Sequence, residues 1–190
     1  VQSFWGMEHT RLMALLPLPS IESLRLRFAT HALAIENVEM RDLAKLPKAH
    51  LHLHFTGSMR PDTLAEIAAE QGLRLPAQLL TERGWFRFQR LYDAARQVVR
   101  TEAVMRRIVR EAAEDDAAEG SVRLEMQVDP TSYAPFVGGI TPALEIILDE
   151  AAKAQAEVGI EVGIIVASSR VRHPLEARTL ARLAAQYAGD

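Results

Sequence analysis

Three short stretches of this chain read as strands, two of them by alternation of apolar and polar residues, and each is followed by segments patterned for helices. Residues 49–55 alternate His with Leu and run into Thr56-Gly57-Ser58, and residues 122–128 close on Asp129-Pro130. Residues 160–167 form the third stretch. The helix-patterned segments are 61–71, 82–100, 102–119, 141–156 and 174–188. Pro61 sits at a first helical turn with Leu64, Ile67 and Ala68 on one face, Gly72 and Gly120 mark stops, and Thr141 reads as an N-cap with Pro142 at N1. Strands separated by helices point to parallel pairs joined by right-handed crossovers. The expected class is α/β, and both an open sheet and the N-terminal part of a (β/α)8 TIM barrel satisfy it. About three β/α units plus extra helices cannot close a barrel that takes about 250 residues, so a barrel would be incomplete in this chain.

Residues 1–39 differ in character from the rest of the chain. Residues 13–19 are apolar but short and broken by Pro17 and Pro19, with Arg11 the only upstream Lys or Arg, a poor match to a signal peptide. Residues 20–34 fit one helix, with Ser20 as N-cap and Ile21, Leu24, Leu26 and Phe28 as its stripe. We read 1–39 as an N-terminal extension outside the fold and 40–190 as the barrel portion.

Composition narrows the partners. A net charge of -3, with arginines scattered along helical segments, provides no field for a polyanion, so no nucleic acid is expected. No run of about 18 apolar residues is present to span a bilayer. There is no cysteine, which excludes disulfides and thiolate metal sites, and any metal would need His, Asp or Glu.

The chemistry concentrates in His50-Leu51-His52-Leu53-His54. In a regular strand all three histidines would point one way and the two leucines the other. Imidazoles two apart, with Cβ atoms roughly 6 to 7 Å from one another, can converge on one ion about 2.1 Å from each nitrogen. A polar face on a sheet edge would use the same pattern. A parallel sheet is normally buried on both faces, so histidines there need partners, and a metal is a natural one.

The stretch Leu46-Pro47-Lys48-Ala49-His50-Leu51-His52-Leu53-His54-Phe55-Thr56-Gly57-Ser58-Met59-Arg60-Pro61 resembles the opening strand of adenosine deaminases in the amidohydrolase superfamily. The likeness continues through Glu66, Gly72, the aromatic segment from Trp85 to Tyr92, Glu119-Gly120, Leu124-Glu125 and Arg170 to Pro174. It covers roughly residues 42–190 and implies the N-terminal portion of that fold.

By that resemblance, His52 and His54 ligate one catalytic Zn2+ per subunit, and His50, where relatives often carry Glu, packs or supports rather than ligates. His54, Thr56 and Gly57 are implied substrate contacts. Thr56 stands where relatives commonly place an Asp that contacts the ribose, and a hydroxyl cannot accept as a carboxylate does. Trp85, Phe86 and Phe88 match the segment that packs against the purine, although ordinary helix packing explains them equally. Asp129 and Ser169, just past strand ends, read as turn or capping residues. The implied reaction is hydrolytic removal of the 6-amino group of adenosine or deoxyadenosine, giving inosine and ammonia in cytoplasmic purine salvage.

The family's acid–base residues and remaining metal ligands come from later strands, so no catalytic residue is assigned in this chain, and by itself it is expected to be inactive, a fragment of a longer product. The alternatives are a deaminase of another adenine compound, which Thr56 favours, and a non-catalytic barrel remnant. Cytidine-type zinc deaminases are disfavoured because their site needs cysteine.

Overall fold

Strands β1 (Lys48–His54), β2 (Ser121–Val128) and β3 (Glu161–Val166) lie parallel in one sheet, in the order β1-β2-β3. The computed structural model describes residues 42–74 and 85–188, nearly all of them within the unit Leu43–Asp190. The helix expected at 20–34 lies outside the described residues, as does the start of the one expected at 82–100.

Among the described residues five helices longer than a single turn accompany the strands: α1 (Pro61–Glu70), α2 (Trp85–Val98), α3 (Glu102–Ala118), α4 (Ile140–Val158) and α5 (Pro174–Gln186). Local chemistry sets their ends. The Thr101 side chain accepts from the Val104 N–H at the start of α3, and His173 accepts from the Leu175 N–H at the start of α5. Gly72 and Gly120 adopt positive φ just past α1 and α3. One expected cap is displaced. Helix α4 begins at Ile140 with Gly139 at its N-cap, so Thr141 lies inside the first turn. The cause is the pair Gly138 and Gly139, at φ 89 and 147, which swings the chain from the single turn Ala134–Val137 directly into α4.

The alternation in β2 divides the sheet into two unlike faces. Leu124, Met126 and Val128 are fully buried and join the core built from Ile108, Val109 and Ala112 of α3 and Leu144, Ile147 and Ala151 of α4. Burying each large side chain of this kind contributes about 1.5–3 kcal/mol. Arg123, Glu125 and Gln127 occupy the opposite face, where Arg123 donates to Glu125 at 2.7 and 2.9 Å and pairs with Glu161 on β3. Gly163 lies opposite Glu125, and a Cβ there would stand in ordinary contact at 3.5 Å from the Arg123 guanidinium. Parallel strands in sequence order, with the helices packed on one face, are the arrangement of consecutive strands in a barrel wall. Polar pairing also fastens α1 to α3. Thr63 donates to the buried Glu111 at 2.7 Å, and Arg107 bridges Glu111 and Glu66.

Candidate metal centre

The pairing of β1 with β2 decides where the three histidines point. His50 lies opposite Leu124 and Leu53 opposite Met126, so three steps along β1 match two along β2. The extra residue is a β-bulge. Because Leu124 and Met126 both face the helices, so do His50 and Leu53, whereas His54, opposite Gln127, faces the polar side. The regular-strand expectation of three histidines on one face is therefore corrected. On the helix side, His50 Nδ1 lies 3.1 Å from both carboxylate oxygens of Asp116 on α3. Leu51, within the bulge, is 55% exposed.

His52 and His54 remain together, with ring centroids 5.0 Å apart and planes nearly perpendicular. The Gln127 amide stands 3.5 Å from His52 Nδ1. Tyr92 of α2 meets the His54 ring edge-on at 5.9 Å. Gly57 eases this packing, because a Cβ there would lie a tight 3.3 Å from His54 Cβ, and at an ordinary 3.7 Å from the Tyr92 ring. The Arg96 guanidinium in turn sits over the Tyr92 ring, 4.8 Å from its centroid. Partial burial, and secondarily the charge of His52, hold the His54 imidazole below its ordinary pKa. That favours the neutral ring, the form with a lone pair for a metal.

In donor type the pair fits a metal. Among the described residues no group of three or more His, Cys, Asp or Glu side chains is arranged to hold one.

A cleft of about 460 Å³ opens beside His54 at the C-terminal ends of the strands, lined also by Phe55, Tyr92, Arg96, Gln127, Asp129, Tyr133, Ser169 and Arg172. Asp129 accepts from the Thr131 N–H at 3.1 Å and from its hydroxyl at 2.6 Å, so its carboxylate caps the turn after β2. Tyr133 is buried edge-on against Phe55, and that burial pushes its phenol pKa up. Thr56 is 1% exposed rather than open to the cleft, and its hydroxyl lies beside that of Tyr133 without a well-aligned hydrogen bond. Trp85, Phe86 and Phe88 lie on the first turns of α2, and their side chains are outside the described residues. Sequence reasoning missed Arg96. Its signal was the spacing of four from Tyr92, which puts both on one helix face.

Residues 47–190 match the sequence model of the family described as adenosine deaminase. The chain belongs to the adenosine deaminase family. A protein of Streptomyces virginiae that bears the provisional name adenosine/adenine deaminase is 59% identical over 158 residues, which cover 78% of this chain and 47% of that protein. The crystal structure of an adenine deaminase from Arthrobacter aurescens superposes with a TM-score of 0.63 at 25% identity, over 75% of this chain and 46% of that one. An amidohydrolase from Burkholderia ambifaria, solved with bound zinc, shares the fold with a TM-score of 0.65 at 24% identity, over 77% of this chain and 42% of that one. The three strands are thus the N-terminal part of a deaminase-type TIM barrel, and the chain spans about half the length of these relatives. Among the described residues, no helix is long and apolar enough to cross a membrane.

Proposed function

We propose that the full-length protein is a zinc-dependent hydrolase that removes the 6-amino group of adenosine or deoxyadenosine, yielding inosine and ammonia, in cytoplasmic purine salvage. The observation that carries this reading is the pair His52 and His54, gathered on one face where β1 opens into the cleft. The bound zinc of the Burkholderia ambifaria relative fits such a pair. When bound, the metal supplies the Lewis acidity that lets water attack an aromatic carbon near neutral pH. The chain's own residues orient and shield. Gln127 steadies the His52 ring, Tyr92 and Gly57 hold the His54 ring, and Phe55 with Tyr133 walls one side of the cleft. Two imidazoles alone hold zinc weakly, so the activity is assigned to the full-length protein, whose oligomeric state plays no part in this reading. The test is ammonia release from adenosine by the zinc-loaded full-length protein, with His52→Ala and His54→Ala as controls. Turnover that survives both variants sinks the reading.

A second reading, deamination of adenine or another adenine compound, is favoured by Thr56. Its hydroxyl is buried and cannot accept as a ribose-binding carboxylate would. Turnover of adenine exceeding that of adenosine would favour it.

A further inference from the structure

Two buried hydroxyls meet in the wall of the cleft, and between them they carry one proton more than they can use on each other. Thr56 lies in the turn Phe55–Ser58 after β1, and Tyr133 follows the turn Pro130–Ser132 after β2. Thr56 Oγ1 is buried without a well-aligned partner, and the Tyr133 hydroxyl is the group beside it. Tyr133 is itself only 3% exposed, yet it borders the cleft and Thr56 does not.

Hydroxyl protons rotate to suit their surroundings, so the pair has two arrangements. If Tyr133 donates to Thr56, the Thr56 proton stays buried with no acceptor, at the full desolvation cost of that donor. If Thr56 donates to Tyr133, the spare proton is the phenol's, on the side chain that borders the cleft. The second arrangement is the more stable one. Among the described residues no carboxylate takes that proton, and Asp129 in the same lining is engaged by Thr131. Burial pushes the phenol pKa up, so the group remains a donor near neutral pH.

Tyr133 is also held in place. Its ring packs edge-on against Phe55 at 5.2 Å, its N–H donates to the Pro130 carbonyl at 3.1 Å, and its carbonyl accepts from the Phe136 N–H at 2.9 Å. A donor fixed before the ligand arrives loses little freedom on binding it. We infer that Tyr133 is a substrate-binding residue: Thr56 donates to its phenol oxygen, and the phenol donates to an uncharged oxygen or nitrogen acceptor of the adenine compound in the cleft. Thr56 is the positioning residue behind it. The inference rests on the deaminase reading and adds to it a ligand contact from the β2 side.

Isothermal titration of the zinc-loaded full-length protein with inosine and hypoxanthine, the deaminated forms of adenosine and adenine, tests it without turnover. Tyr133→Phe keeps the ring against Phe55 and removes only the hydroxyl. It should weaken inosine binding by about 3- to 10-fold. A loss confined to inosine assigns the acceptor to the sugar, and an equal loss for hypoxanthine assigns it to the base. Thr56→Val should weaken the same ligand by a smaller factor, have no further effect once Tyr133 is Phe, and be rescued by Thr56→Ser. Unchanged affinity in Tyr133→Phe, with or without a lower melting temperature, overturns the inference, because the phenol then serves the protein alone. Losses that simply add overturn the role of Thr56. Ammonia release from adenosine together with binding that ignores Tyr133→Phe would sink this contact and leave the deaminase reading standing. Phenol-dependent inosine binding without ammonia release from adenosine or adenine would do the reverse.

Discussion

The two faces of β2 are made by alternate residues of one strand, yet they obey different rules. Leu124, Met126 and Val128 interlock with α3 and α4, and what matters there is volume. Arg123, Glu125 and Gln127 are half-buried beside His52 and His54, and what matters there is which polar atom meets which. The histidines of β1 divide along the same line. His50 belongs to the structural face and is held by Asp116, while His52 and His54 belong to the chemical face. The faces should therefore fail differently when altered, one losing stability and the other losing ligand binding.

The largest effect is expected on the apolar face. Met126→Ala, at a fully buried position, should cost about 2–5 kcal/mol of unfolding free energy, read from urea denaturation. A loss below about 1 kcal/mol would mean that the helices do not pack closely on β2. On the chemical face, His52→Ala or His54→Ala should weaken zinc binding by more than about 100-fold, because even partners that merely support a ligand are worth about 10–100-fold. The urea midpoint should move little, since both side chains are exposed. Unchanged zinc affinity would break the comparison outright.

Asp116→Ala probes the boundary between the faces. It removes the partner of His50, whose side chain is 39% exposed and open to water, and a cost of about 0.5–1.5 kcal/mol is expected for the lost hydrogen bond. Any accompanying loss of zinc affinity would show that the bulge transmits the position of His50 to His52, and unchanged affinity would show that it insulates them. Gly57→Ala should act more gently. Its Cβ would press on that of His54 at 3.3 Å, so zinc affinity should drop by less than about 10-fold without a change in fold by circular dichroism.

The smallest effect is electrostatic and lies on neither face. Lys153, and then Arg106, hold the Asp149 carboxyl below its usual pKa. The group's folded pKa is depressed, so its contribution is complete above the ordinary carboxylate range and is lost as pH falls through the folded value. The melting temperature of Asp149→Asn should therefore differ from that of the parent chain at pH 6, and the gap should narrow as the pH falls below the ordinary carboxylate range. A gap that widens in acid would contradict the sign.

Much of this arrangement was legible in the chain. Period-two alternation at 122–128 identified β2 and its buried set, and Pro61, Gly72 and Gly120 marked helix ends where they fall. The start of α4 was not, because Thr141 looks like a cap until Gly138 and Gly139 are seen turning the chain a residue earlier. Tyr92 was visible as one of an aromatic cluster, but nothing in its spacing announced that it would meet His54 from another element.

By itself the sequence determined which side chains were available for chemistry. Two imidazoles at spacing two, a glycine after them and the absence of cysteine restrict any metal to nitrogen and oxygen donors, and these follow from residue identity alone. Only the tertiary structure decided which histidines share a face. Side chains alternate across a strand with a period of two, so one inserted residue moves every later side chain to the opposite face. The bulge between His50 and Leu53 makes that shift, so β1 keeps its ladder with β2 while His50 meets Asp116 on a helix more than sixty residues away along the chain.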